Sequence, residues 1–214
     1  MWNGGSSDDL DKMIDFAVQR YPKKSLAPVG FSLSGNVLLK YLGEGRKVPG
    51  NISGALAVNP PVDLRVASDI ISRKWSCALF NKYYMRLIRN QAVALVKQFP
   101  SALNPLKNLK TIWDFDVSYT APAGGFKDVD DYYDQSSSKH FLQGIKTPTS
   151  ILSAEDDPFV PGYLFDQVVM SEKIALHKPE NGGHMGYISR HATSHGDRRW
   201  MDYAVLEWIR ELHE

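Results

Sequence analysis

The chain has 214 residues, 43% hydrophobic and 23% charged, the balance of an ordinary soluble globular protein with one sizeable core. Its formal net charge of +1 gives no ground for electrostatic binding to nucleic acid or to an anionic membrane. The single cysteine, Cys77, excludes an internal disulfide. No apolar run reaches membrane-spanning length, and "MWNGGSSDDL" has no signal pattern, so the expected location is the cytoplasm.

The first predicted element is a helix. Ser6 or Ser7 caps it, with Asp9 in a capping-box position, and Leu10, Met13, Ile14 and Ala17 recur at helical spacing before Pro22. "SLAPVGF" (Ser25 to Phe31) reads as a buried strand, residues 34–42 as a helix, and "NISGALAVNPP" as a second strand stopped by Pro60 and Pro61. From Asp63 to about Lys146 the character changes to a long, aromatic-rich helical pattern and then a turn-rich stretch around Gly124 and Gly125. Alternation resumes with "TSILSA" as strand, "PGYLFDQVVM" as a short helix and "KIALHKP" as strand. A last helix over residues 198–212 carries Met201, Val205, Trp208 and Leu212 on one face. Alternating βα units with one helical insertion imply a mostly parallel α/β sheet with helices on both faces. The whole chain, 1–214, is expected to form one domain, with a cap of approximately residues 63–146 inserted within it.

Within "PVGFSLSGN", Ser32 lies between a strand and a helix in G-x-S-x-S-G, a near-match to the G-x-S-x-G nucleophile elbow. The sharp turn needs small residues two before and two after the serine, which Gly30 and Ser34 supply. The N terminus of the following helix favours a developing negative charge, and the Leu33 backbone N–H is one oxyanion donor. A serine in a satisfied turn is the bland reading of the same string. An elbow serine calls for an acid and then a histidine, each after a later strand. Glu155-Asp156-Asp157 follows "TSILSA", and His184 follows "KIALHKP" in the glycine-rich "NGGHMG". The other histidines fit less well: His177 is within a strand, His140 in the insertion, and His191, His195 and His213 in polar or terminal segments. No His/Cys/Asp/Glu group has metal-ligand spacing, and no metal or other cofactor is expected.

The strings "VGFSLSGNVLLKYLGE", "VNPPVDL", "IWDFDVSYTAPAGGFKDVDDYY", "AEDDPFVP" and "GGHMGYI" resemble the YheT-like branch (AB hydrolase 4) of the α/β-hydrolase superfamily. Ser34 stands where that family usually has glycine. The resemblance implies a carboxylesterase or lipid-ester hydrolase acting through Ser32, Asp157 and His184, with Asp157 favoured over its neighbours by the D-x-x-V-P string ending at Pro161. It also implies that the chain corresponds to the C-terminal two-thirds of the fold. The family's first strands and the HG-type loop giving a second oxyanion N–H would precede Met1, and no residue here matches them.

The expected chemistry is attack of Ser32 on an ester carbonyl, His184 taking its proton and Asp157 orienting the imidazole. Trp75, Phe80, Tyr83, Tyr84 and Met85 either cover the acyl pocket as a lid or simply pack an amphipathic helix. Phe31, Tyr83 and Tyr84 are the candidate substrate contacts. The expected partner is a small-molecule ester or lipid, with neither nucleic acid nor a membrane span. The competing reading is a non-catalytic hydrolase-like chain.

Overall fold

Four short parallel strands carry the structure, a computed structural model that describes residues 3–99 and 109–212. β1 (Val29–Phe31), β2 (Ala55–Val58), β3 (Thr149–Leu152) and β4 (Ile174–His177) lie side by side in chain order. The register pairs Gly30 with Ala57, Ala57 with Ile151, and Ile151 with Leu176. Every residue of β2 is buried, as expected for a parallel strand covered on both faces. Because side chains alternate along a strand, Ala55, Ala57 and Ile151 point to one face and Val58 and Leu152 to the other. The first face packs on Leu38, Leu39 and Leu42 of α2 (Leu33–Gly43) and on Ile14 of α1 (Ser7–Arg20). The second packs on Tyr187 and on Met201, Val205 and Trp208.

The chain forms two compact units. The sheet unit comprises residues 3–62 and 137–212. In it, Asn36 is fully buried and joins distant segments: its Nδ2 donates to the Gly4 carbonyl at 2.9 Å, and its Oδ1 accepts from the Ser138 N–H at 2.8 Å. Leu142 and Ile145 are also part of this unit's core. Residues 137–146, expected in the insertion, therefore belong to the sheet unit, and His140 goes with them.

The helical unit comprises residues 63–99 and 109–136. Its elements are α3 (Leu64–Arg73), α4 (Ala78–Gln98), α5 (Ile112–Phe115), a π-helical turn (Asp116–Thr120), α6 (Ala121–Gly124) and α7 (Val129–Ser136). Asp63 caps α3 by accepting from the Val66 N–H at 3.1 Å, and Thr111 with Asp114 forms a capping box at α5. The π turn buries Asp116. The Tyr133 hydroxyl donates to its Oδ2 at 2.8 Å and lies 2.7 Å from Ser68 Oγ. Burial pushes the Asp116 carboxyl up to about 6, against the opposing hydrogen bonds from Thr120 and Tyr133.

Three local expectations are corrected. The capping box at Ser6 and Asp9 does not form, because Ser6 Oγ accepts from the Asn3 N–H instead, and Ser7 Oγ donates to Glu44 Oε2 at 3.0 Å. The strand expected from Ser25 shortens to Val29–Phe31, with a single bridge at Leu26 to Ile52 before it. "PGYLFDQVVM" forms only a 3₁₀ turn over Gly162–Phe165. Phe165 is buried and Leu164, Val168 and Met170 pack on the core, so the apolar spacing is satisfied without a helix. The last helix, α8, runs Trp200–Glu211. His213 lies outside the described residues.

Candidate active site

All four strands point their carboxyl ends the same way, and the loops leaving them converge there, the usual site location in parallel α/β sheets. Ser32 follows β1 directly, with φ 50° and ψ −122°, a left-handed conformation that costs a non-glycine residue about 1–3 kcal/mol. The turn is fixed on both sides. The Ser32 N–H donates to the Val58 carbonyl at 2.8 Å, and the Ser32 carbonyl accepts from the Gly35 N–H at 2.8 Å. Gly30 is required here: a Cβ on it would stand 2.7 Å from Gly35 Cα and from the Ser34 carbonyl oxygen. Ser34, the serine at the family's glycine position, is exposed. Leu33 is the first residue of α2, and its N–H has no partner inside the helix.

His184 reaches this serine from the loop after β4. Its Nε2 is 2.9 Å from Ser32 Oγ, and its Nδ1 is 2.7 Å from Asp157 Oδ2. The Phe159 ring packs on the imidazole at 4.1 Å between centroids. Asp157 lies in the loop after β3 with its side chain fully enclosed. Its Oδ1 accepts from the Phe159 and Val160 N–H groups at 3.0 and 2.9 Å, and its Oδ2 also accepts from Asn59 Nδ2. Burial alone would raise this carboxyl. The hydrogen bond and charge of His184, with the donors from Asn59 and Phe159, outweigh that and hold it below the usual carboxylate range.

The sequence singled out Ser32, Asp157 and His184, and the structure brings these three together. It separates the roles of the adjacent acids. Asp156 Oδ1 accepts from the Gly182 and Gly183 N–H groups at 2.8 and 2.7 Å, so it holds the backbone of the histidine loop and does not meet the imidazole.

Two residues were missed. Asn59, just after β2, has φ 45°, a conformation asparagine tolerates better than most residues, and it is fully buried. Its Nδ2 donates to Asp157 and to the Gly183 carbonyl at 3.0 Å, tying the acid to the histidine loop. Its Oδ1 accepts from the Tyr187 hydroxyl, which in turn accepts from the Ala154 N–H at 3.0 Å. An asparagine closing a strand before two prolines was the available signal; nothing around Tyr187 distinguished it from a core tyrosine.

Of the candidate substrate contacts, Phe31 is half-exposed beside Ser32. Tyr83 and Tyr84 belong to α4, their rings edge-on at 5.6 Å, with Tyr83 exposed. Met85, expected either in a lid with them or in the packing of an amphipathic helix, is buried. Among the other histidines, His177 stacks on Trp208 at 4.9 Å, and His195 meets Tyr203 edge-on.

A sheet of this topology, with a serine on a strained strand–helix turn and a histidine and acid on later loops, has the layout of an α/β hydrolase. The α/β-hydrolase fold family profile matches residues 1–190, and the chain belongs to that family. It is 30% identical to the monoacylglycerol lipase of Saccharomyces cerevisiae, over 100% of this chain and 49% of that protein. It is 27% identical to YheT of Escherichia coli, over 98% of this chain and 62% of that protein. The chain thus spans about half to three-fifths of the length of these curated relatives. Among solved structures, the Paleococcus ferrophilus monoacylglycerol lipase superposes with a TM-score of 0.50 at 17% identity, covering 96% of this chain and 76% of that one. That likeness is one of fold.

Proposed function

We propose that this chain is a carboxylic ester hydrolase working through Ser32, His184 and Asp157. The observation that carries this reading is the continuous relay of two hydrogen bonds, Ser32 Oγ to His184 Nε2 and His184 Nδ1 to Asp157 Oδ2, on an elbow with a positive φ. The relatives named monoacylglycerol lipase and esterase support the same class. In the reaction, Ser32 Oγ attacks the ester carbonyl as its proton passes to His184 Nε2. The tetrahedral oxyanion takes the Leu33 N–H at the start of α2. Collapse breaks the bond to the alcohol oxygen, which leaves with the proton from His184, and an acyl-Ser32 ester remains. Water then attacks that ester with His184 again as base, releasing the acid and restoring the serine. Asp157 stays ionised throughout, holding Nδ1–H and stabilising the imidazolium. Half-exposed Phe31, next to the nucleophile, offers an apolar contact to the acyl chain.

A fluorophosphonate probe tests the assignment. It should label Ser32 in the wild-type chain and fail on Ser32→Ala. Labelling at Ser34, or none in a sample shown by circular dichroism to be folded, would overturn it.

A further inference from the structure

The near-zero net charge conceals an uneven distribution. Between Asp69 and Asp114 the sequence has no acidic residue, yet it has eight basic ones, from Arg73 to Lys110. α4, 21 residues long, runs through this stretch. Its fully buried residues, Met85 and Ala92, are seven apart and share one side of the helix. The opposite side is open to solvent and apolar. Leu79, Tyr83 and Leu87 follow one another at one-turn intervals with exposures of 81%, 58% and 40%. Trp75 lies four residues earlier, in the short 3₁₀ turn that leads into α4, and is 88% exposed. Lys82 and Arg86 stand beside this stripe, exposed and without an ion pair among the described residues.

We infer that this face of α4 docks on the surface of an anionic phospholipid bilayer. The combination of side chains selects that partner. Leucines and a tyrosine on a helix flanked by Lys and Arg, with a tryptophan in the turn leading into it, match a helix lying in the headgroup plane, where apolar side chains enter the acyl boundary and the cations meet phosphates. A nucleic-acid groove would use the cations and the aromatic rings but has no place for two exposed leucines. The core of a protein–protein interface would be depleted of lysine. α4 itself has no acidic residue, so the helix adds no repulsion of its own against an anionic surface. The docking depends only on this face and holds whether or not Ser32 turns over an ester.

Flotation of the 214-residue chain with vesicles tests it. Binding is expected to vesicles of phosphatidylglycerol and phosphatidylcholine but not to phosphatidylcholine alone. It should weaken steeply from about 0.1 M to about 0.5 M salt, as screening shortens the reach of the cations. Lys82→Glu with Arg86→Glu should weaken binding at least ~tenfold, since each cation near such a surface contributes appreciably. Leu79→Ser should weaken it on the same vesicles, with thermal melting confirming that each variant is folded. Equal binding to neutral and anionic vesicles, no salt dependence of the wild-type chain, or tighter binding to a single-stranded oligonucleotide than to anionic vesicles would each overturn the inference.

Discussion

At the scale of single residues, the two adjacent aspartates give a sharp contrast. Asp157→Asn removes the charge facing His184 Nδ1 and should cut kcat by ~10³-fold or more. Asp156→Asn keeps an oxygen for the Gly182 and Gly183 N–H groups and should cost far less, so steady-state kinetics on a p-nitrophenyl ester separates them. A larger loss at Asp156 would reverse the assignment. In the proposed mechanism Asn59 is a positioning residue, acting through Asp157 and the Gly183 carbonyl. Asn59→Gly tolerates the positive φ and removes only the side-chain bonds, so kcat should fall with KM nearly unchanged. Because Asp157 has its carboxyl held low in the folded state, its contribution to stability is full above the ordinary carboxylate range and is lost as pH falls through the lowered value. Without the Asn59 donor that value rises, and acid unfolding followed by circular dichroism should begin at higher pH than in the wild-type chain. The meeting of Ser32, Asp157 and His184 was legible in the sequence because elbow chemistry restricts neighbours to small residues and fixes the order of the partners. Asn59 was not, because its task follows from a left-handed turn that swings its amide into two loops distant in sequence.

At the scale of elements, the strand–turn–helix around Ser32 tolerates little. A methyl on Gly30 would collide with backbone, which cannot shift as a side chain can, so Gly30→Ala should destabilise the chain by about 2–3 kcal/mol and reduce probe labelling of Ser32. Denaturant unfolding measures the first effect. The π-helical turn shows the opposite pH dependence from Asp157. The Asp116 carboxyl is raised to about 6 in the folded state, chiefly by burial, so the folded state binds the extra proton and stability falls as pH climbs from about 4 to about 6. Asp116→Asn, with its amide oxygen still able to accept from Tyr133, should raise the Tm at pH 7 and change it little at pH 4. A lower Tm at pH 7 would mean that the charge is stabilising. The elements read best from sequence were those where pattern and packing agree, such as α2, whose apolar run is buried. "PGYLFDQVVM" misled because Phe165, Val168 and Met170 reach the core from an irregular chain as readily as from a helix, while Gly162 and the β-branched pair Val168 and Val169 disfavour one.

At the scale of the whole molecule, β1 pairs with β2 on one side and has no strand on the other among the described residues. Open edges of parallel strands recruit other chains, and Pro28 beside it removes only one donor. The purified 214-residue chain is therefore expected to scatter light above the 24.1 kDa of a monomer, and a monomer at all concentrations would contradict this. Charge is also uneven along the chain. Eight of the 25 basic residues and none of the 24 acidic ones lie between Asp69 and Asp114, leaving 17 basic against 24 acidic elsewhere. Such a protein does not behave as a neutral particle at its isoelectric point near 7.8. In dilute buffer at that pH it should be retained by cation-exchange and anion-exchange resins alike, each column holding it by a different part of the chain.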